Sequence, residues 1–194
     1  MSGYTMTQEE VLYSGPPSNF PAAGSSSSSV VNAMVGATGD YSQPMLPGGF
    51  WQQGRQNQLV RYTFSGACTA ESSATTLQVI LGLDTTANTI GGSTLLTYPA
   101  LTVTSYSAGT IYGEGIIQCR GTGYGTSSVA TSLLTSGSVS GYGNALAVTA
   151  AAGPTALQTT DFSVNQWLYM TIQFSTNNAT NAFTLEQFVL EGCN

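Results

Sequence analysis

The chain has 194 residues, room for one domain plus an appendage, yet only 6% of them are charged and the net charge is −6. Its only bases are Arg55, Arg61 and Arg120, too few and too scattered to neutralise phosphates, which excludes nucleic-acid reading and attachment to anionic membrane surfaces. The absence of histidine and lysine removes Ser-His-Asp and Cys-His arrangements, lysine nucleophiles and the P-loop lysine.

Residues 1–53 differ in texture from the remainder of the chain. They carry Pro16, Pro17, Pro21, Pro44 and Pro47 and a serine run at 25–29, without a sustained helical or strand period. Short apolar islands interrupt the polar background, and such islands predict an extended arm that becomes ordered along a partner. Tyr13, Phe20, Phe50 and Trp51 are its candidate partner contacts. The first ten residues are polar and acidic, unlike an export signal, and no apolar run approaches the ~20 residues that cross a bilayer. The chain is therefore expected to be made in a cytoplasm with Cys68, Cys119 and Cys193 reduced.

From residue 58 the pattern alternates. Val60, Tyr62 and Phe64 interleave with Arg61, Thr63 and Ser65, which predicts a strand with one buried face. Leu77, Val79, Leu81 and Leu83 predict a second strand, and 93–105 a third that breaks at Pro99. Further strands are expected at 111–120, 127–140 and 144–150. At 166–175, Leu168, Met170, Ile172 and Phe174 should face inward and Trp167, Tyr169 and Thr171 outward. After a polar turn at 176–181, a last strand closes the chain. About eight strands without a helix imply an all-β, jelly-roll-like antiparallel β-sandwich over 54–194, preceded by the N-terminal arm.

Few residues offer chemistry. No CxxC pair exists for zinc, and the 84–89 segment DTTANT lacks the second acid, central glycine and terminal glutamate of a calcium loop. Carboxylate-pair hydrolysis is the one enzyme class left open, with Glu71, Asp84, Glu114, Asp161, Glu186 and Glu191 as candidates. Glu114, isolated in a strand, is expected to point outward or to pair with Arg61 or Arg120. Trp51, Trp167 and Tyr169 could form a sugar-stacking platform, although Trp and Tyr are equally at home in protein interfaces. The stretch CRGTGYGTSS at 119–128 has the spacing G-x-G-x-G and precedes a strand-like segment, so it reads as a strand connection and not a phosphate loop.

The strand carrying Arg61 and ending in Gly66, the central strand running into Arg120, Gly121 and Gly125-Thr126, the turn at 178–181 and the Gly192-Cys193-Asn194 end form a recognisable order. It resembles jelly-roll structural proteins of tailed bacteriophages, including capsid decoration (cement) proteins. The resemblance implies a non-enzymatic virion protein on the capsid surface, partnered by the major capsid protein and by copies of itself as a homotrimer. The residue types and charge on their own give no expectation of a cofactor, metal, nucleic acid or membrane. A carbohydrate- or receptor-binding module of a tail or fibre is the alternative.

Overall fold

The computed structural model describes residues 9–15, 22–23, 31–34, 43–50, 59–71, 75–87, 89–122, 130–143, 146–152, 158–161 and 163–193. Among them lie fourteen strand segments and no helix. Four fall before residue 54: β1 (Glu9–Gly15), β2 (Ala22–Ala23), β3 (Val31–Asn32) and β4 (Met45–Leu46). Next come β5 (Leu59–Thr69), β6 (Thr76–Asp84), β7 (Ser93–Thr97), β8 (Leu101–Thr102) and β9 (Gly109–Thr122). The chain ends with β10 (Ala130–Gly143), β11 (Leu146–Ala152), β12 (Gln158–Asp161), β13 (Gln166–Phe174) and β14 (Ala182–Cys193). All eight strands expected from alternation are present, and the third is divided at Pro99 into β7 and β8.

The segments form two antiparallel sheets packed face to face. The larger runs β1–β14–β5–β9–β10–β11, with β2 also on β14 and β12 also on β10. The smaller runs β3–β13–β6–β7, with β4 also on β13 and β8 also on β6. Each extra segment continues an edge: β1 leaves β14 at Phe188 and β2 rejoins it at Thr184. Among the described residues, each edge of both sheets is therefore built from two separate segments. A broken edge offers only short ladders to a foreign strand.

Taken in chain order as one to eight, β1, β3, β5, β6, β7, β9, β13 and β14 stand in the orders 1-8-3-6 and 2-7-4-5, the jelly-roll arrangement. β10, β11 and β12 follow the sixth strand and widen the larger sheet, curling over to touch β7 and β8. The first two strands of the roll come from the stretch read as an arm. Where that stretch is described, it lies along β14 and β13 of its own chain.

The core depends on rings seated on glycine backbone. Phe64 of β5 faces Gly113 of β9, and Tyr62 faces Gly115 in the next inward pair. A Cβ at Gly113 would fall 2.1 Å from the Phe64 ring, and one at Gly115 would fall 2.2 Å from the Tyr62 hydroxyl. Only glycine permits that approach. The Tyr62 hydroxyl then reaches across the sandwich to the Tyr98 hydroxyl at 2.6 Å. Phe64 meets the Tyr98 ring edge-on at 6.2 Å, and Phe188 stacks parallel to Tyr62. Burial pushes the hydroxyls of Tyr62 and Tyr98 well above the usual tyrosine range, and it pushes the Cys68 thiol up to about 12.

β13 departs from the one-sided pattern. Leu168, Met170, Ile172 and Phe174 join the core as expected, but Tyr169 and Thr171 are also buried. The Tyr169 ring lies over Gly82, its neighbour on β6. On its other side β13 is bordered by residues 31–34 and 43–46, where Ala33 N donates to Met170 O and Gln43 Nε2 to Leu168 O.

Gly113→Ala is expected to lower stability by about 1–2 kcal/mol in guanidinium unfolding, because overpacking against Phe64 outweighs the chain-entropy gain. Ser138→Ala, on the outer face of β10, should change it by less than ~0.5 kcal/mol. Equal midpoints for the two variants would remove the ring-on-glycine account. Stability should also fall as pH rises. The folded chain holds the Cys68 proton from an ordinary value near 9 up to about 12, and the Tyr62 and Tyr98 protons beyond 10, so over that window the unfolded chain binds fewer protons. Tyr98→Phe should make the alkaline decline shallower in a pH series of unfolding curves.

Candidate functional site

Register places two of the candidate carboxylates, Glu114 and Asp161, far apart. Glu114 lies opposite Ser138 of β10, and Asp161 lies opposite Ala130 of the same strand. Those positions are roughly 26 Å apart along the strand, against about 5–10 Å for a hydrolytic pair. Glu114 is exposed on the outer face of the larger sheet, where its Oε2 accepts a hydrogen bond from the Tyr112 hydroxyl at 3.2 Å. Asp161 accepts from Ser163 N at 2.8 Å and ends β12 in an ordinary turn. Arg120 donates to Gln118 Oε1 at 3.3 Å. Among the described residues, no group of three or more Cys, Asp and Glu is placed to hold a metal ion. Asp84 Oδ1 caps its own turn by accepting from Thr86 N.

Glu71 ties three connections together at one end of the sandwich. Its backbone nitrogen donates to Asn181 Oδ1 at 3.0 Å, and its carbonyl accepts from Ser105 N at 2.6 Å. Its carboxylate accepts from Thr75 Oγ1 and from Asn178 Nδ2. Asn181, fully buried, donates through Nδ2 to Thr176 O. Ser105 takes φ 62°, a left-handed conformation costly for serine, to deliver its N–H to Glu71. An open depression of about 580 Å³ borders this knot, lined by Thr69, Glu71, Tyr106, Ser107, Asn178 and Thr180. These hydrogen bonds join one connection to another, so the knot reads as an end cap for the sandwich.

Exposed apolar side chains form two other groups. Met45, Ile90 and Val164 surround the end of the smaller sheet where β13 begins and β6 ends. Met45 pairs with Trp167 across β4–β13, Trp167 pairs with Asp84 across β13–β6, and Ile90 lies in the β6–β7 turn. The Pro47–Phe50 turn is fastened beside them, with Gly48 N donating to Asn165 Oδ1 at 2.9 Å. Phe50, one of the four expected contacts, sits there half-buried against the core. The side chains of Tyr13, Phe20 and Trp51 lie outside the described residues. Tyr169 is buried and cannot serve as an exposed stacking ring, whereas Trp167 is half-buried.

The second group lies on the outer face of the larger sheet. Tyr112 and Ile116 of β9 and Tyr142 of β10 are 39%, 36% and 51% exposed. Between and around them stand Thr63, Ser65, Ser136, Ser138 and Ser140, all half-buried, so the face is low and hydroxyl-lined. Sequence reading missed this group because Tyr112 and Ile116 flank glycines inside a strand. Their outward parity was nevertheless available, since Glu114 between them was expected to face solvent. β9 and β10 are antiparallel neighbours, so the 119–128 stretch belongs to the connection of two adjacent strands, of which residues 123–129 lie outside the described residues. No known family matches the chain, and no curated protein matches it.

Asn181→Ala would leave the Glu71 N–H and the Thr176 carbonyl without their buried partner. A loss of about 1–3 kcal/mol is expected in thermal or denaturant unfolding. An unchanged midpoint would mean that the end cap does not support the fold.

Proposed function

We propose that this chain is a non-enzymatic structural protein of a bacteriophage virion, bound as a decoration protein to the exterior of the head shell. The observation that carries the reading is the exposed apolar group at the end of the smaller sheet, Met45, Ile90 and Val164 with Phe50 and Trp167 at its margin. Exposed apolar side chains gathered at one end of a sheet mark a contact site. This group lies apart from the outer face of the larger sheet, as a subunit that meets both a shell and its own copies requires. Contacts made only with the assembled shell, through the major capsid protein, would add to shell stability by mass action.

One observation favours a second reading, a carbohydrate- or receptor-binding module of a tail or fibre. Trp167 is half-buried, and Asp84 is its direct neighbour on β6, which brings a stacking ring and a carboxylate together.

Electron microscopy of phage particles carrying the coding sequence, labelled with antibody against the protein, separates these outcomes. A regular array on the head exterior is expected. Val164→Glu, combined with Met45→Glu, should empty those positions while leaving the circular dichroism spectrum unchanged. Label confined to tail or fibres, together with binding on a glycan array, would assign the second reading. Particles without label would overturn both.

A further inference from the structure

We propose that the outer face of the larger sheet is where copies of this chain meet. Tyr112, Ile116 and Tyr142 stay exposed on β9 and β10, two inner rows of a six-row sheet. Tyr142 lies opposite Thr110 and Tyr112 opposite Ser140, which makes the two tyrosines diagonal neighbours on one face. Tyrosine ringed by small hydroxyl side chains is the make-up of an interface core with a polar surround.

Charge selects the occupant. The chain carries nine acids against three bases, so two copies repel across most approaches. The described bases, Arg61 and Arg120, both lie on this one face, with Glu114 and Glu191 on the same central rows. Arg61, Glu191 and Glu114 set both signs side by side over the middle of the face, with Arg120 farther along β9, which makes the face self-compatible, while the acid at Glu186 stands at the bulge of β14. A strongly basic or acidic partner would find no complementary field here. A second copy finds its own balance.

Size agrees. Six rows about 4.8 Å apart and roughly ten residues long span roughly 950 Å². A standard interface buries about 800 Å² per partner. Half-buried Thr63, Ser65, Ser136, Ser138 and Ser140 keep its middle low enough for two sheets to approach.

The inference is independent of attachment to a particle and is tested on the free full-length protein. Sedimentation velocity from 1 to 100 µM should show a mass that is a multiple of the 20.0 kDa chain. Ile116→Glu and Tyr142→Glu, each placing an added acid in the face, should weaken association at least about tenfold. Ile90→Glu, on the other apolar group, should leave it unchanged. Unaltered circular dichroism and melting would show that the variants fold, and two variants guard against the failure of one. A wild-type monomer at 100 µM would overturn the proposal. So would dissociation by Ile90→Glu but not by the two face variants, since that would move the contact to the other surface.

Discussion

The seating of Phe64 and Tyr62 on the bare backbone of Gly113 and Gly115 sets the geometry of this protein. With no side chain beneath them, the two rings lie close to β9 and leave room for Tyr98 from the other sheet. Tyr98 then bonds one ring through its hydroxyl and meets the other with its face or edge. The β5–β9 pairing and the spacing of the sheets thus rest on the same few atoms. The constraint also shapes the exterior. In a strand, neighbours point to opposite faces, so glycines at 113 and 115 inside leave Tyr112, Glu114 and Ile116 outside. The tight interior and the exposed Tyr112 and Ile116 outside are two sides of one segment, IYGEGII.

Much of the architecture was legible because burial on one face leaves period two in the residues. β5, β6 and β13 announce themselves in this way, and Pro99 marks the division between β7 and β8. The first strands were not legible for the same physical reason in reverse. β2, β3 and β4 are two residues long, too short to carry a period, and their partners are more than a hundred residues away. Tyr169 illustrates a further limit. Alternation gives its direction correctly, but it says nothing of Gly82 beside it or of the ring's burial on that side. The carboxylates depend on register, which no local pattern encodes: Glu114 and Asp161 become distant only once both are laid against β10.

The scarcity of charge also takes on a spatial meaning. Hydroxyl side chains of β5 and β10 line the middle of the larger sheet's outer face and make many of the hydrogen bonds at the end cap, where Thr75, Thr104 and Thr176 bond one another and nearby backbone. Short side chains lose little rotamer freedom on being fixed, so such a surface can be ordered, or covered, at small entropic cost. A lysine-rich surface would resist both.

The pairing of β1 with β14 has a consequence for how the chain is made. Glu9 lies opposite Cys193, so the strand nearest the start is held by the strand nearest the end. A ribosome adding roughly 5–20 residues per second takes on the order of ten to forty seconds to travel between them. Throughout that interval β1 has no partner, and β3 waits similarly for β13. The hairpin of β9 and β10 can form long before either. The roll is therefore expected to close backward, from its newest strands to its oldest, and its last step is the capture of strands that left the ribosome well before their partners.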